Sequence, residues 1–97
     1  EIYYTNWIYD SRTVLVFISE RKSFADSYEL LNNKINKGYI ISEAGREHTA
    51  FIKTADGTYN FVSIKDRWIY GCCYAPDIKS GKRIIDDLRI RIMPYLR

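Results

Sequence analysis

Three strand-like runs within 28 residues constrain this chain more than anything else in it. They are "HTAFIKT" at 48–54, "TYNFVSI" at 58–64 and "WIYGCCYA" at 68–75, joined only by "ADG" and "KDR". Each run is rich in β-branched and aromatic residues. Connections this short leave no room for a crossover, so the three runs must fold back on one another as an antiparallel meander.

The flanking segments complete the fold. "IYYTNWIY" at 2–9 and "TVLVFIS" at 13–19 read as two further strands around the turn-like "DSR". Ser23 opens a helical pattern: its hydroxyl caps the first turn and Asp26 adds favourable negative charge there. Phe24, Tyr28, Leu31 and Ile35 then recur on one stripe, with Leu30 beside it. Gly38 ends this helix over 23–37, since a left-handed residue after a helix costs glycine nothing. "GYIIS" adds a short strand.

Pro76 stops the last strand of the meander. Asp77 or Ser80 caps a second helix over 81–93, with Ile84, Ile85, Leu88 and Ile92 on its apolar side and Pro94 at its end. Lys82/Asp86, Arg83/Asp87 and Asp87/Arg91 are opposite charges four apart on the other side. Arg89 is expected to face solvent there.

The resulting order, β-β-α-(β)-β-β-β-α, predicts one two-layer α+β domain over 1–97 with a mainly antiparallel sheet. In topology alone this order is similar to the PAS-like and profilin-like superfolds, which set the first strands beside the last. That likeness implies no particular function, because such folds host sensors, scaffolds and enzymes alike. A chain opening on Glu1 rather than Met is expected to be a processed product or a piece of a longer chain.

Composition narrows the function classes. A hydrophobic fraction of 46% suits a packed core. A net charge of +3 without a basic run argues against nucleic acid as a partner. No uncharged apolar stretch approaches the roughly 20 residues of a membrane span.

Cys72 and Cys73 are the chain's two cysteines, and they are adjacent. In a strand, neighbours point to opposite faces, so a disulfide between them is not expected. A metal site would need about four ligands, and His48 is the sole histidine available to help. Two small core residues is the favoured reading; one exposed thiol, reactive or bonded to another chain, is the sharper alternative. His48 reads as a solvent-facing strand end. "SGK" at 80–82 resembles a fragment of a phosphate loop but lacks its upstream glycine, so it reads as a helix start. "DD" at 86–87 reads as paired surface charge. Nothing supplies a converging nucleophile and base, so no enzyme and no cofactor are expected.

Alternation along 68–75 sets Trp68, Tyr70, Cys72 and Tyr74 on one face and Ile69, Gly71, Cys73 and Ala75 on the other. Neither face is charged, so this should be a central strand. Aromatics are the most abundant unexplained feature, at 15% of the chain. Tyr3, Trp7 and Tyr9 share a face of the first strand. Trp7, Tyr9, Trp68 and Tyr70 are the candidate binding residues, the two tryptophans lining one site if the first strand lies beside the last. The expected function is a non-catalytic sensory or regulatory module that binds a partner protein, itself or a small apolar ligand through this aromatic sheet face. The alternative is a purely structural interaction or oligomerisation domain without a ligand. Which holds turns on whether the aromatics enclose a cavity or form a flat exposed patch.

Overall fold

The structure is a computed structural model that describes residues 2–9, 11–41, 49–92 and 94. His48 and the start of the expected 48–54 strand fall outside that set, as does the side chain of Ile92. In chain order the elements are β1 (Ile2–Tyr9), β2 (Arg12–Glu20), α1 (Phe24–Asn36), β3 (Ile40–Ile41), β4 (Thr49–Lys53), β5 (Tyr59–Lys65), β6 (Trp68–Ala75) and α2 (Ile78–Ile92). The strands form one sheet in the order β1-β2-β6-β5-β4-β3. Every pairing in it is antiparallel. The chain runs out through the β1–β2 hairpin, crosses by α1 to the far edge at β3, and returns through the meander until β6 docks beside β2.

The domain is thus of the α+β class expected, a helix packed on an antiparallel sheet, and that packing is made on both faces. Leu31 of α1 meets Ala50, Val62, Ile64 and Ile69 on one face. Ile84, Ile85 and Leu88 of α2 meet Val14, Val16, Phe61, Tyr70 and Cys72 on the other. Adjacent residues Phe61 and Val62, like Ile69 and Tyr70, belong to different cores because a strand alternates. β6 and β5 carry a helix on both sides, which explains the uncharged run of 68–75.

Local chemistry places both helices. The Ser23 hydroxyl accepts from the Asp26 N–H at 3.2 Å. Asp26 in turn pairs with Arg21 at 3.0 Å. Gly38 leaves α1 with φ +107°, a conformation open to glycine. The buried stripe of α1 differs from the one expected. Ser27 and Leu31 face the sheet, while Phe24 and Tyr28 are exposed and stack on each other with centroids 5.7 Å apart. A small serine lets the helix approach there, and the two rings cover one another instead.

α2 begins three residues before its expected start, because Asp77 is its cap: its carboxylate accepts from the Ser80 N–H at 2.7 Å. The glycine of "SGK" has a packing role. A Cβ on Gly81 would overlap the Phe61 ring, whose Cζ lies 2.6 Å from that position. A side chain there would push α2 off the sheet.

One departure from alternation matters for the site. Phe61 stands opposite Cys72, but Tyr59 stands opposite Ala75, so β6 carries one more residue than β5 between these pairs. This is a β-bulge, with Tyr74 at φ +68°. The bulge turns Ala75 into the α2 core and Tyr74 out to solvent, reversing the faces that strict alternation assigns to them.

Candidate functional site

Trp7, Tyr9, Trp68 and Tyr70 all point to the α2 face, as alternation requires, but they do not form one site. Tyr70 lies beneath α2 with no exposed surface. Its hydroxyl accepts from Arg89 Nε at 3.0 Å, and Arg89 also pairs with Asp86 at 3.0 Å. Arg89 is therefore a half-buried strut between helix and sheet, not the solvent-facing residue expected. Trp68 is half-buried at the start of β6, opposite Glu20 on one side and Lys65 on the other.

Trp7 lies elsewhere. β1 is an edge strand paired with β2, and β2, not β1, is the strand beside β6. Trp7 is level with Val14, and Trp68 with Glu20. Those partners are six residues apart on β2, roughly 20 Å at the strand rise. The two tryptophans cannot share a pocket. Tyr9 is half-buried near Trp7, opposite Arg12, and packs against the α2 core.

Around Trp7 the structure does form a recess. It is an open groove of about 460 Å³, lined by Tyr3, Trp7, Val16, Ile18, Leu88 and Arg91. The Arg91 guanidinium stands 5.0 Å from the centroid of the Trp7 ring, a cation–π contact that holds the indole against the end of α2. The groove continues onto β1 itself. There Ile2 is 49% exposed, Tyr3 58%, Tyr4 61% and Ile8 82%, so β1 carries more exposed large apolar side chains than any other strand among the described residues. Its signal was in the sequence: "IYYTNWIY" has large apolar residues at both parities, a pattern suited to a strand covered on both sides. An edge position leaves them uncovered. Nothing local in the sequence places β1 at the edge.

A second recess, of about 320 Å³, lies between Thr54, Asp56, Asn60, Cys73 and Tyr74. Asp56 there is committed to the β4–β5 loop. Its carboxylate accepts from Thr54 Oγ1 at 2.5 Å, Thr58 Oγ1 at 2.6 Å and Thr58 N–H at 2.9 Å. Those hydrogen bonds hold its pKa down to about 2.

The cysteines are free and point apart, Cys72 into the α2 core and Cys73, half-buried, to the opposite face. Burial first, then the neighbouring Cys73, pushes the Cys72 thiol up to about 12, far from the thiolate a nucleophile needs. Burial also raises Cys73, with Lys34 acting in the opposite sense. Among the described residues no three His, Cys, Asp or Glu side chains come together as a metal site. Among them, too, no helix is long and apolar enough to cross a membrane.

No protein-family profile, curated protein or solved structure matches the chain.

Proposed function

We propose that this domain is a non-catalytic interaction module that binds a partner protein along β1 and the adjoining groove of Tyr3, Trp7 and Arg91. One observation carries the reading. Among the described residues the aromatics at the centre of the sheet enclose no chamber, because Ile84, Ile85 and Leu88 of α2 pack above them. Four of the large apolar side chains left exposed, Ile2, Tyr3, Tyr4 and Ile8, lie together on β1 as a flat strip with an open groove beside it. Enclosed pockets suit small molecules, whereas exposed strips of Tyr, Trp and Ile suit polypeptides. An edge strand adds a row of backbone donors and acceptors able to extend the sheet by one more strand. The half-buried Trp7, fixed by Arg91, would be the anchor of the contact.

A photo-crosslinking amino acid placed at Tyr4 of the full-length protein tests this in its native cells. The expected product is a polypeptide adduct, with Trp7→Ala cutting its yield at least about tenfold. Adducts confined to solvent or small molecules would overturn the reading.

A further inference from the structure

We propose that the occupant of β1 is β1 of a second copy, paired antiparallel about a two-fold axis through Thr5, so that two six-stranded sheets become one. This rests on the interaction reading above and names its partner.

The two edges of the sheet are unlike. Among the described residues β3 offers an edge of only two, Ile40 and Ile41. β1 is eight residues long and pairs with β2 in unbroken register, without a bulge. From Ile2 to Tyr9 it carries no charged residue and no proline, the features that usually keep an open edge from pairing. A domain of net charge +3 therefore presents to its own kind a strand with no charge to oppose the approach. Neither helix obstructs it. α2 rests on β5 and β6 and α1 on β4, β5 and β6, so β1 stands two strands out from either support.

The register follows from the faces. For the two α2 faces to be continuous, residues directly opposite must share parity. With Thr5 opposite Thr5 of the second copy, Tyr3 meets Trp7 on the α2 face, and Ile2 meets Ile8 and Tyr4 meets Asn6 on the other. Aromatic on aromatic, threonine on threonine and β-branched on β-branched are the favourable cross-strand pairs. The contact is isologous, each residue meeting its partner twice, and it closes at two copies. Ile2, Tyr3, Tyr4 and Ile8 are each about half exposed or more. Counting both copies, with roughly 150–250 Å² for each aromatic, their exposed surface is on the order of 1,000 Å², so full coverage would just reach the lower limit for a specific interface. Trp7 then meets Tyr3 of the other copy, and the two grooves join across the axis.

The test is sedimentation of the full-length chain at micromolar concentration together with directed crosslinking in a Cys73→Ser background. A dimer is expected, and Ile8→Lys, at a position 82% exposed, should raise its Kd at least about 30-fold with an unchanged circular dichroism spectrum. Thr5→Cys should form a covalent dimer on mild oxidation, and Asn6→Cys should form it far more slowly. A monomer whose β1 amides exchange freely would overturn the inference. So would a monomer whose β1 amides are protected, because another segment would then cover the edge. Crosslinking through Asn6→Cys but not Thr5→Cys would overturn the register. If the Tyr4 crosslinker captures a different protein on a monomeric chain, self-pairing fails and the interaction module stands.

Discussion

Phe61 and Tyr70 in the middle of the sheet, and Tyr3, Tyr4 and Ile8 at its β1 edge, are the same kinds of residue in opposite situations. The first group is sealed under α2. The second projects from a strand on which neither helix rests, and it stays largely in water. Side-chain chemistry alone does not decide between burial and exposure. The difference is set by distance from a helix, counted in strands. The centre of the sheet is therefore where stability resides, and the β1 edge is where apolar surface remains available for binding. If that division is right, substitutions at the centre should cost folding and substitutions at the edge should cost association.

The largest expected effect tests the division directly. Phe61→Ala should lower the unfolding free energy by about 3–5 kcal/mol, as truncation of a buried aromatic does. Ile8→Ala, at a position 82% exposed, should change it by less than about 0.5 kcal/mol in the monomer. Urea unfolding of both variants measures this. Similar losses at the two sites would mean the edge strand is covered and the contrast is false.

Gly81→Ala comes next. On helix propensity alone, alanine would stabilise α2 by about 1 kcal/mol. Here the new methyl meets the Phe61 ring, so the expected net change is a loss of about 1–2 kcal/mol from overpacking. Phe61→Leu in the same chain should relieve the clash, making the pair strongly non-additive. A stabilised single variant would show that α2 has room to lift away, and that the centre is less tightly sealed than described.

Much of this contrast was open to sequence reasoning, and its limits are physical. The strands and turns of the meander are local features, carried by β-branched runs and by "ADG" and "KDR", and they were legible. The caps at Ser23 and Asp77 are equally local. Strand order is not local: β2 rather than β1 lies beside β6 because of packing summed over the whole sheet, and that one fact separates Trp7 from Trp68. The bulge at Tyr74 arises where β5 and β6 differ in length between matched pairs, a property of two strands together. Arg89 looked solvent-facing because its partner is 19 positions away. The aromatic residues were legible as a group, but which of them remain exposed was not.

Arg89 supplies the third test. Its truncation leaves the Tyr70 hydroxyl without its donor in a buried place, a loss of roughly 1–2 kcal/mol. Arg83→Ala, on the exposed side of the same helix, should stay below about 0.5 kcal/mol. The double-mutant cycle of Arg89→Ala with Tyr70→Phe should recover most of the Arg89 loss, since the orphaned group is then gone. Without that coupling, Arg89 would act through the surface pair with Asp86 alone, and the centre would lack its polar strut.

The smallest effect belongs to a place that is neither sealed centre nor apolar edge. The β4–β5 loop is exposed and is held by hydrogen bonds to Asp56. That carboxylate titrates near 2 in the folded chain against an ordinary 3.8, so its folded pKa is depressed. The sign follows from linkage: the unfolded state binds the proton more readily, so the contribution of Asp56 is complete above its ordinary pKa and is lost as the pH falls from about 4 towards 2. A carbon-13 titration should give Asp56 a midpoint near 2, with the Thr58 amide, which donates to it at 2.9 Å, shifting in step. Asp56→Asn should abolish the Thr58 transition and lower stability slightly above pH 5, where the contribution is complete, the difference fading as the pH falls towards 2; the loop touches neither core cluster, so the effect stays small. A midpoint near 4, or a Thr58 amide indifferent to pH, would mean that the threonine hydrogen bonds do not persist in solution. The loop's shape would then depend on the strands beside it rather than on its own polar contacts.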